Sequence, residues 1–520
     1  MPIRLSGMVS GLDTEAIVEE LMTAQRAKQT KVENKQTKLT WKQEKWKELN
    51  TKLYSFYTNK VSKLRLEGSY MTKKVTSSDE SIVSATVGSS ASKGAHSLTV
   101  NSLASAQYVT SAKIQHKDGT TKLNGQANLV SSLGMTAGTK LAIKAGDKDA
   151  VEFEVTDSST LSDFVKACQE AGINANFDEK QQRLFLSSKE SGSENSFTLT
   201  ELDADGNVSS TDDQLKLLGI GNITSDMASG NTAADISGGD TGFSMKVAKD
   251  AEIILDGATL KSSTNNMIVN GLTLDLVSAD PNKEIRLSVE DDIDAVYDMV
   301  KDFVKEYNSI LKEINELYYA DSAKGYEPLT DEQKEAMSED EVKKWEDKIK
   351  SALFRRDTTL GNIASGMRTS MMGQVKVDGK SYSLASFGIM TSTDYSEKGL
   401  LHIYGDSEDD TYADQEDKLK KALSENPDAV VQTLSTIGQN LYKDMTDRMG
   451  KTALSSALTF YNDLEITKQL NSYKKEISNW EDKLADMEDR YYKQFTAMEK
   501  AMASLNNTSS SLAGMLGMSQ

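Results

Sequence analysis

Chemistry on this chain would have to come from three histidines, one cysteine and many carboxylates, the side chains that ligate metals, attack electrophiles or carry protons near neutral pH. His96, His116 and His402 lie in unrelated strand or loop contexts, and none has a Cys, Asp or Glu at a metal-ligand spacing that would make a site. Cys168 is the single cysteine, which excludes an internal disulfide. It falls in an apolar helical pattern, Leu161–Ala171 with Leu161, Phe164 and Val165, which predicts a packing role for its thiol. One constellation resembles a calcium loop: Glu201-Leu202-Asp203-Ala204-Asp205-Gly206, with Asp212 at the twelfth position. Glu at the first place, Asp at the last and a strand upstream all depart from that pattern, so an acidic turn is the expectation. There is no phosphate-loop signature, no Gly-x-Ser-x-Gly elbow and no zinc motif, and Gly219-Ile220-Gly221 alone does not make a nucleotide site. Neither catalysis nor a cofactor is expected.

The elements at the two ends carry the stronger signal. Leu470, Tyr473, Ile477, Trp480, Leu484, Met487 and Tyr491 recur at alternating spacings of three and four, as a coiled-coil seam requires, with no Pro or Gly between them. Past Tyr491 the apolar set shifts to Phe495, Met498, Met502 and Leu505, a stutter that relaxes the supercoil. At the other end Asp13 or Thr14 can cap a helix, and no Gly or Pro appears from Leu12 through Glu67. A helix of about fifty residues would span roughly 75 Å. Its predicted seam is Ile17 and Leu21, then after a polar stretch Val32, Leu39, Trp46, Leu49, Leu53 and Phe56. Lys28, Lys31, Lys35, Lys38, Lys42, Lys45 and Lys47 crowd this helix, whereas the C-terminal one offers Glu476, Glu481, Asp482, Asp486, Glu488 and Asp489. An antiparallel pairing would bring these flanks together, setting register more than stability, and a solvated face is the equal alternative for such charges.

The whole chain has room for three or four domains in its 520 residues, and its formal net charge of −19 repels nucleic acid and anionic membrane at long range. No run approaches the length of about twenty apolar residues that spans a bilayer. Nucleic-acid binding and membrane insertion are therefore not expected. The first residues lack the hydrophobic core and cleavage signal of a secretory peptide, which leaves another export route open.

Between the ends the texture changes at Gly68 to Ser, Thr, Gly and alternating apolar residues. Residues 138–200 read as hairpin, helix, hairpin, and 203–242 as loop with one short helix near Asp212–Leu218. Leu272–Val277 and Ile285–Val289 alternate around Asp280-Pro281-Asn282-Lys283 and predict a hairpin. Helix returns with Val296, Val300, Phe303, Tyr307, Ile310, Ile314 and Leu317, and a small hairpin is expected from Leu384–Met390 and Leu400–Tyr404. The expected fold class is α+β and multidomain, with long N- and C-terminal coiled-coil helices and a helical leg bundle flanking inserted β-rich head domains. The expected division is 1–40 and 490–520 as terminal segments disordered until assembled, 41–75 and 291–489 as the leg, 76–110 and 246–290 as a β-rich head, and 111–245 as an outer α+β head.

Several stretches, in one order along the chain, carry a family resemblance. Gly11-Leu-Asp-Thr-Glu15 followed by Ile17-Val18 and Leu21-Met22 resembles the opening of the flagellar hook-associated protein 2 family, the bacterial flagellar filament caps. Asn270-Gly-Leu-Thr-Leu-Asp-Leu276, Phe303-Val-Lys-Glu-Tyr-Asn308, Ser383-Leu-Ala-Ser-Phe-Gly-Ile389, Ala422-Leu-Ser-Glu-Asn-Pro427 and Arg490-Tyr-Tyr-Lys-Gln-Phe-Thr-Ala-Met-Glu499 are similar to later parts of it. The resemblance implies export through the hollow flagellum, assembly as a homo-oligomeric, pentameric ring at the filament tip, and folding and insertion of flagellin beneath it. The partners implied are flagellin, hook–filament junction proteins and an export chaperone. Docking would fall to Leu12, Ile17, Leu21, Met22, Phe495, Met498, Met502, Leu505, Leu512 and Met515. Two other readings are a surface adhesin that binds host mucin through the Ser/Thr/Gly-rich head, and a cytoplasmic coiled-coil scaffold.

Overall fold

The computed structural model describes residues 11–228, 235–239 and 242–515, without the side chains of 514 and 515. The expectations for 1–10 and 516–520, and for parts of the 203–242 stretch, lie outside the described residues. The chain divides into two compact units, one taking in the chain up to Tyr70 and again from Ile293, the other Met71–Asp292.

In the first unit, the Asp13 side chain accepts the Ala16 N–H at 3.0 Å and starts a helix over Thr14–Phe56. A π-helical turn at Tyr57–Val61 carries it on to Leu64. Trp46, Leu49, Leu53 and Phe56 enter a core shared with the Ile293–Tyr318 helix, whose Val296, Val300, Phe303, Tyr307, Ile310 and Ile314 are all buried, as their spacing predicts. Helices Thr358–Met371, Lys418–Glu425 and Pro427–Arg448 and the hairpin Ile389–Thr391/Leu401–Ile403 add to it. Trp46 anchors the packing, stacked on Tyr461 at 5.3 Å and edge-on to Phe354 at 5.1 Å. Gly438 lets the Pro427–Arg448 helix approach closely, since a Cβ there would meet the Arg65 backbone nitrogen at 2.8 Å. The Asp463–Met515 helix closes the unit.

The second unit holds two cores. A five-stranded antiparallel sheet, in the order Lys73–Ser77, Asp280–Asp291, Gly94–Ser102, Ala251–Leu255, Ala258–Ser262, shares its core with the sheet of Asn266–Val269, Leu272–Leu276 and Val83–Val87. The predicted hairpin of Leu272–Val277 with Ile285–Val289 does not form. Leu272–Leu276 pairs with Asn266–Val269 and Val83–Val87, whereas Asp280–Asp291 pairs with Lys73–Ser77 and Gly94–Ser102. Alternation assigns a strand its buried face, not its neighbour; Leu274 and Leu287 fill one core from two different sheets. The other core lies between a four-stranded and a three-stranded sheet and the Leu161–Glu170 helix, which Thr160 and Asp163 cap reciprocally. Cys168 sits in that core, where burial pushes its thiol up to about 12.

Candidate assembly interface

The N- and C-terminal helices run antiparallel over most of the N-terminal helix's length. At one end Asn50 accepts the Phe460 N–H at 2.8 Å; midway the Lys28 ammonium lies 6.0 Å from the centre of the Trp480 ring. At the far end Val18, Met22 and Leu484 are buried together, with Met487, Tyr491, Tyr492 and Phe495 packed around them. This far cluster is separate from the main core, and between the two only Val32 of the N-terminal helix is fully buried. A leg of this kind is held at its ends by apolar contacts and crosses a polar waist.

The residues expected to dock partners are spread unevenly over it. Met22 is 1% exposed and Phe495 packs beside it, so these two serve the chain's own coil. Leu12 and Leu21 stand 45% and 41% exposed, and Ile17 is half-buried. Met498 and Met502 are half-buried, Leu505 and Leu512 are 68% and 54% exposed, and the Met515 side chain lies outside the described residues. Of the predicted seam, Leu484 is buried, while Leu470, Tyr473, Ile477, Trp480, Met487 and Tyr491 are half-buried. Leu39 is half-buried, and Trp46, Leu49 and Leu53 serve the main core. Val18 was not among the expected docking residues. It takes the inner place predicted for Ile17, and its spacing of four from Met22 and fourteen from Val32 is the signal that finds it.

The charges pair differently from the antiparallel reading. Lys38 reaches Glu327 at 2.6 Å, Lys42 reaches Asp357 at 2.7 Å, and Lys45 and Lys52 clasp Glu313 at 3.0 and 2.6 Å. These carboxylates all lie outside the C-terminal helix. Lys28, Lys31 and Lys35 make no ion pair among the described residues. Glu33 instead has Glu481 as a neighbour, and burial first, then that like charge, raises its carboxyl above the ordinary range.

The groups that could do chemistry are engaged in structure. His402 bridges Glu397 at 2.8 Å and Asp409 at 2.5 Å, His96 pairs with Asp256, and His116 with Asp118. In the acidic turn, Asp203 accepts the N–H groups of Asp205 and Asn207, Glu201 accepts that of Gln214, and Asp212 pairs with Lys216. No group of three or more His, Cys, Asp or Glu side chains among the described residues could hold a metal. Among the same residues no helix is long and apolar enough to cross a membrane.

Residues 10–107 match the family model for the flagellar hook-associated protein 2 N-terminus, and 248–507 match that for its C-terminus. The flagellar hook-associated protein 2 of Halalkalibacterium halodurans is 27% identical over 554 residues, covering 98% of this chain and 99% of that protein. That of Escherichia coli K12 is 25% identical, covering 97% and 96%. The crystal structure of the D1, D2 and D3 domains of the Escherichia coli flagellar cap protein aligns with a TM-score of 0.47 at 21% identity, over 77% of this chain and 95% of that one.

Proposed function

The chain belongs to the flagellar hook-associated protein 2 family, and on that premise we propose that it caps the distal tip of the bacterial flagellar filament. There it prevents loss of flagellin and promotes the folding and insertion of each exported subunit. The observation that carries this reading is the paired family match, which takes in the N-terminal helix, the C-terminal helix as far as residue 507, and the core of the unit they belong to. The relatives' names carry neither the adhesin nor the scaffold reading. The site of action is extracellular, at the filament tip. The working form is a ring of about five copies, a closed cyclic assembly, in contact with flagellin, with hook–filament junction proteins and, before export, with a chaperone. The role is mechanical and asks for no catalytic residue.

The leg supports it physically. Leu505 and Leu512 lie exposed on a long helix, and burying each such side chain against a partner is worth roughly 1.5–3 kcal/mol. The test is the double variant Met498→Asp with Met502→Asp in the full chain. Its circular dichroism should match the parent's, while cells relying on it shed flagellin into the medium and carry short filaments. Normal filaments and normal motility in that variant overturn the docking role given to these residues.

A further inference from the structure

One face of the N-terminal helix is a lysine stripe. Lys28, Lys31, Lys35, Lys38, Lys42 and Lys45 recur at spacings of three and four, which keeps them on one side of the helix. The later half of the stripe is already an interface: Lys38, Lys42 and Lys45 meet Glu327, Asp357 and Glu313 of the same chain. The earlier half continues the same geometry, but Lys28, Lys31 and Lys35 are exposed and make no ion pair among the described residues. The C-terminal helix adds to this flank, since Lys483 and Lys28 both lie over Trp480, at 5.1 and 6.0 Å.

The other flank of the leg has the opposite sign. At about 100° per residue, Glu33 stands roughly 140–160° around its helix from Lys28, Lys31 and Lys35, and Glu481 stands about as far from Lys483 on its own helix. Glu33 and Glu481 are neighbours there, with Asp331 also near enough to act on Glu33. Each flank is mixed but keeps a net sign: Glu476 lies one heptad from Lys483 on the lysine flank, and Arg26 and Lys474 lie one heptad from Glu33 and Glu481 on the other, where Glu488 and Asp331 leave acid in excess.

We propose that neighbouring copies dock through these two flanks, the Lys28–Lys31–Lys35 face of one leg against the Glu33–Glu481 face of the next. Because the two faces differ, the contact is head-to-tail, and head-to-tail contacts with a suitable rotation close into rings. Exposed ion pairs of this kind set partner choice, register and association rate more than stability, so assembly should weaken as salt rises. The inference rests on the capping reading only in taking copies of the chain to be each other's partners.

The test uses sedimentation of the full chain at low and high salt. One variant carries Lys28→Glu, Lys31→Glu and Lys35→Glu; a second carries Glu33→Lys and Glu481→Lys; a third carries all five. Each of the first two should associate about tenfold more weakly than the parent at low salt, with the difference shrinking at high salt. The third, with both flanks inverted, should regain the parent's association, an outcome that misfolding would not produce. Unchanged association in the first two, or no recovery in the third, overturns the flank contact. If the parent is found at filament tips in that case, the capping reading stands without it; a parent absent from filament tips overturns the capping reading itself.

Discussion

Each ring nitrogen of His402 faces a carboxylate, Nε2 at Glu397 and Nδ1 at Asp409, while its face leans on Tyr412. Burial alone opposes the positive charge, but hydrogen bonds to Asp409 and then Glu397 outweigh it and raise the imidazole above its ordinary value. A histidine whose folded pKa exceeds its unfolded one adds stability that is fully present below about pH 6.5 and is lost as pH rises through the folded value. The hairpin that holds His402 should therefore loosen on the alkaline side. Thermal unfolding of the full chain followed from pH 6 to pH 9 should show a falling midpoint, and His402→Gln should flatten that part of the slope. An unchanged slope in the variant would show that other groups set it. The sequence places His402 in a hairpin, as found, but its carboxylate partners lie five residues before and seven after it. They are recruited by the turn at Tyr395–Glu397 and the loop after Ile403, which no local spacing rule reads out.

At the scale of elements, the legible parts were those where an unbroken repeat leaves one choice. The Ile293–Tyr318 helix shows its whole seam in its spacing, and every one of those positions from Val296 to Ile314 is buried. The start of the N-terminal helix leaves two choices locally, because Ile17 with Leu21 and Val18 with Met22 share the same spacing, and the polar residues after them leave only the distant Val32, fourteen residues from Val18, to tell them apart. The partner helix decides, and it takes Val18 and Met22. The lysines' partners are hidden for a related reason: a charge run reveals a flank, but not which of its members stay in solvent or which of several acidic neighbours meets the rest. The register makes a direct prediction. Met22→Ala removes a side chain that is 1% exposed and should cost about 2 kcal/mol of local stability, whereas Leu21→Ala, at a 41% exposed position, should cost under about 0.5 kcal/mol. Amide exchange across Thr14–Thr30 reads both; faster exchange in the Leu21 variant than in the Met22 variant would put the helix in the other register.

For the whole molecule, the second unit is an insertion within the first. The chain enters it at Lys73–Ser77 and leaves through Asp280–Asp291, and these two strands pair antiparallel, with Lys73 opposite Asp291. Entry and exit are thus adjacent, and each unit buries its own cores, so neither needs the other's side chains to exclude water. Composition supplies the measurement, because all four tryptophans, Trp41, Trp46, Trp345 and Trp480, belong to the first unit. Joining Tyr70 to Ile293 through a short Gly/Ser linker should leave tryptophan emission unchanged, since Trp46 keeps Tyr461 and Phe354 as ring neighbours. The excised Met71–Asp292 chain should give a β-rich circular dichroism spectrum and a sharp thermal transition, as a unit with buried Leu98, Leu274 and Leu287 between paired sheets must. A broad, non-cooperative melt of the excised chain, or red-shifted tryptophan emission in the spliced one, would mean that the insertion and its host fold as one.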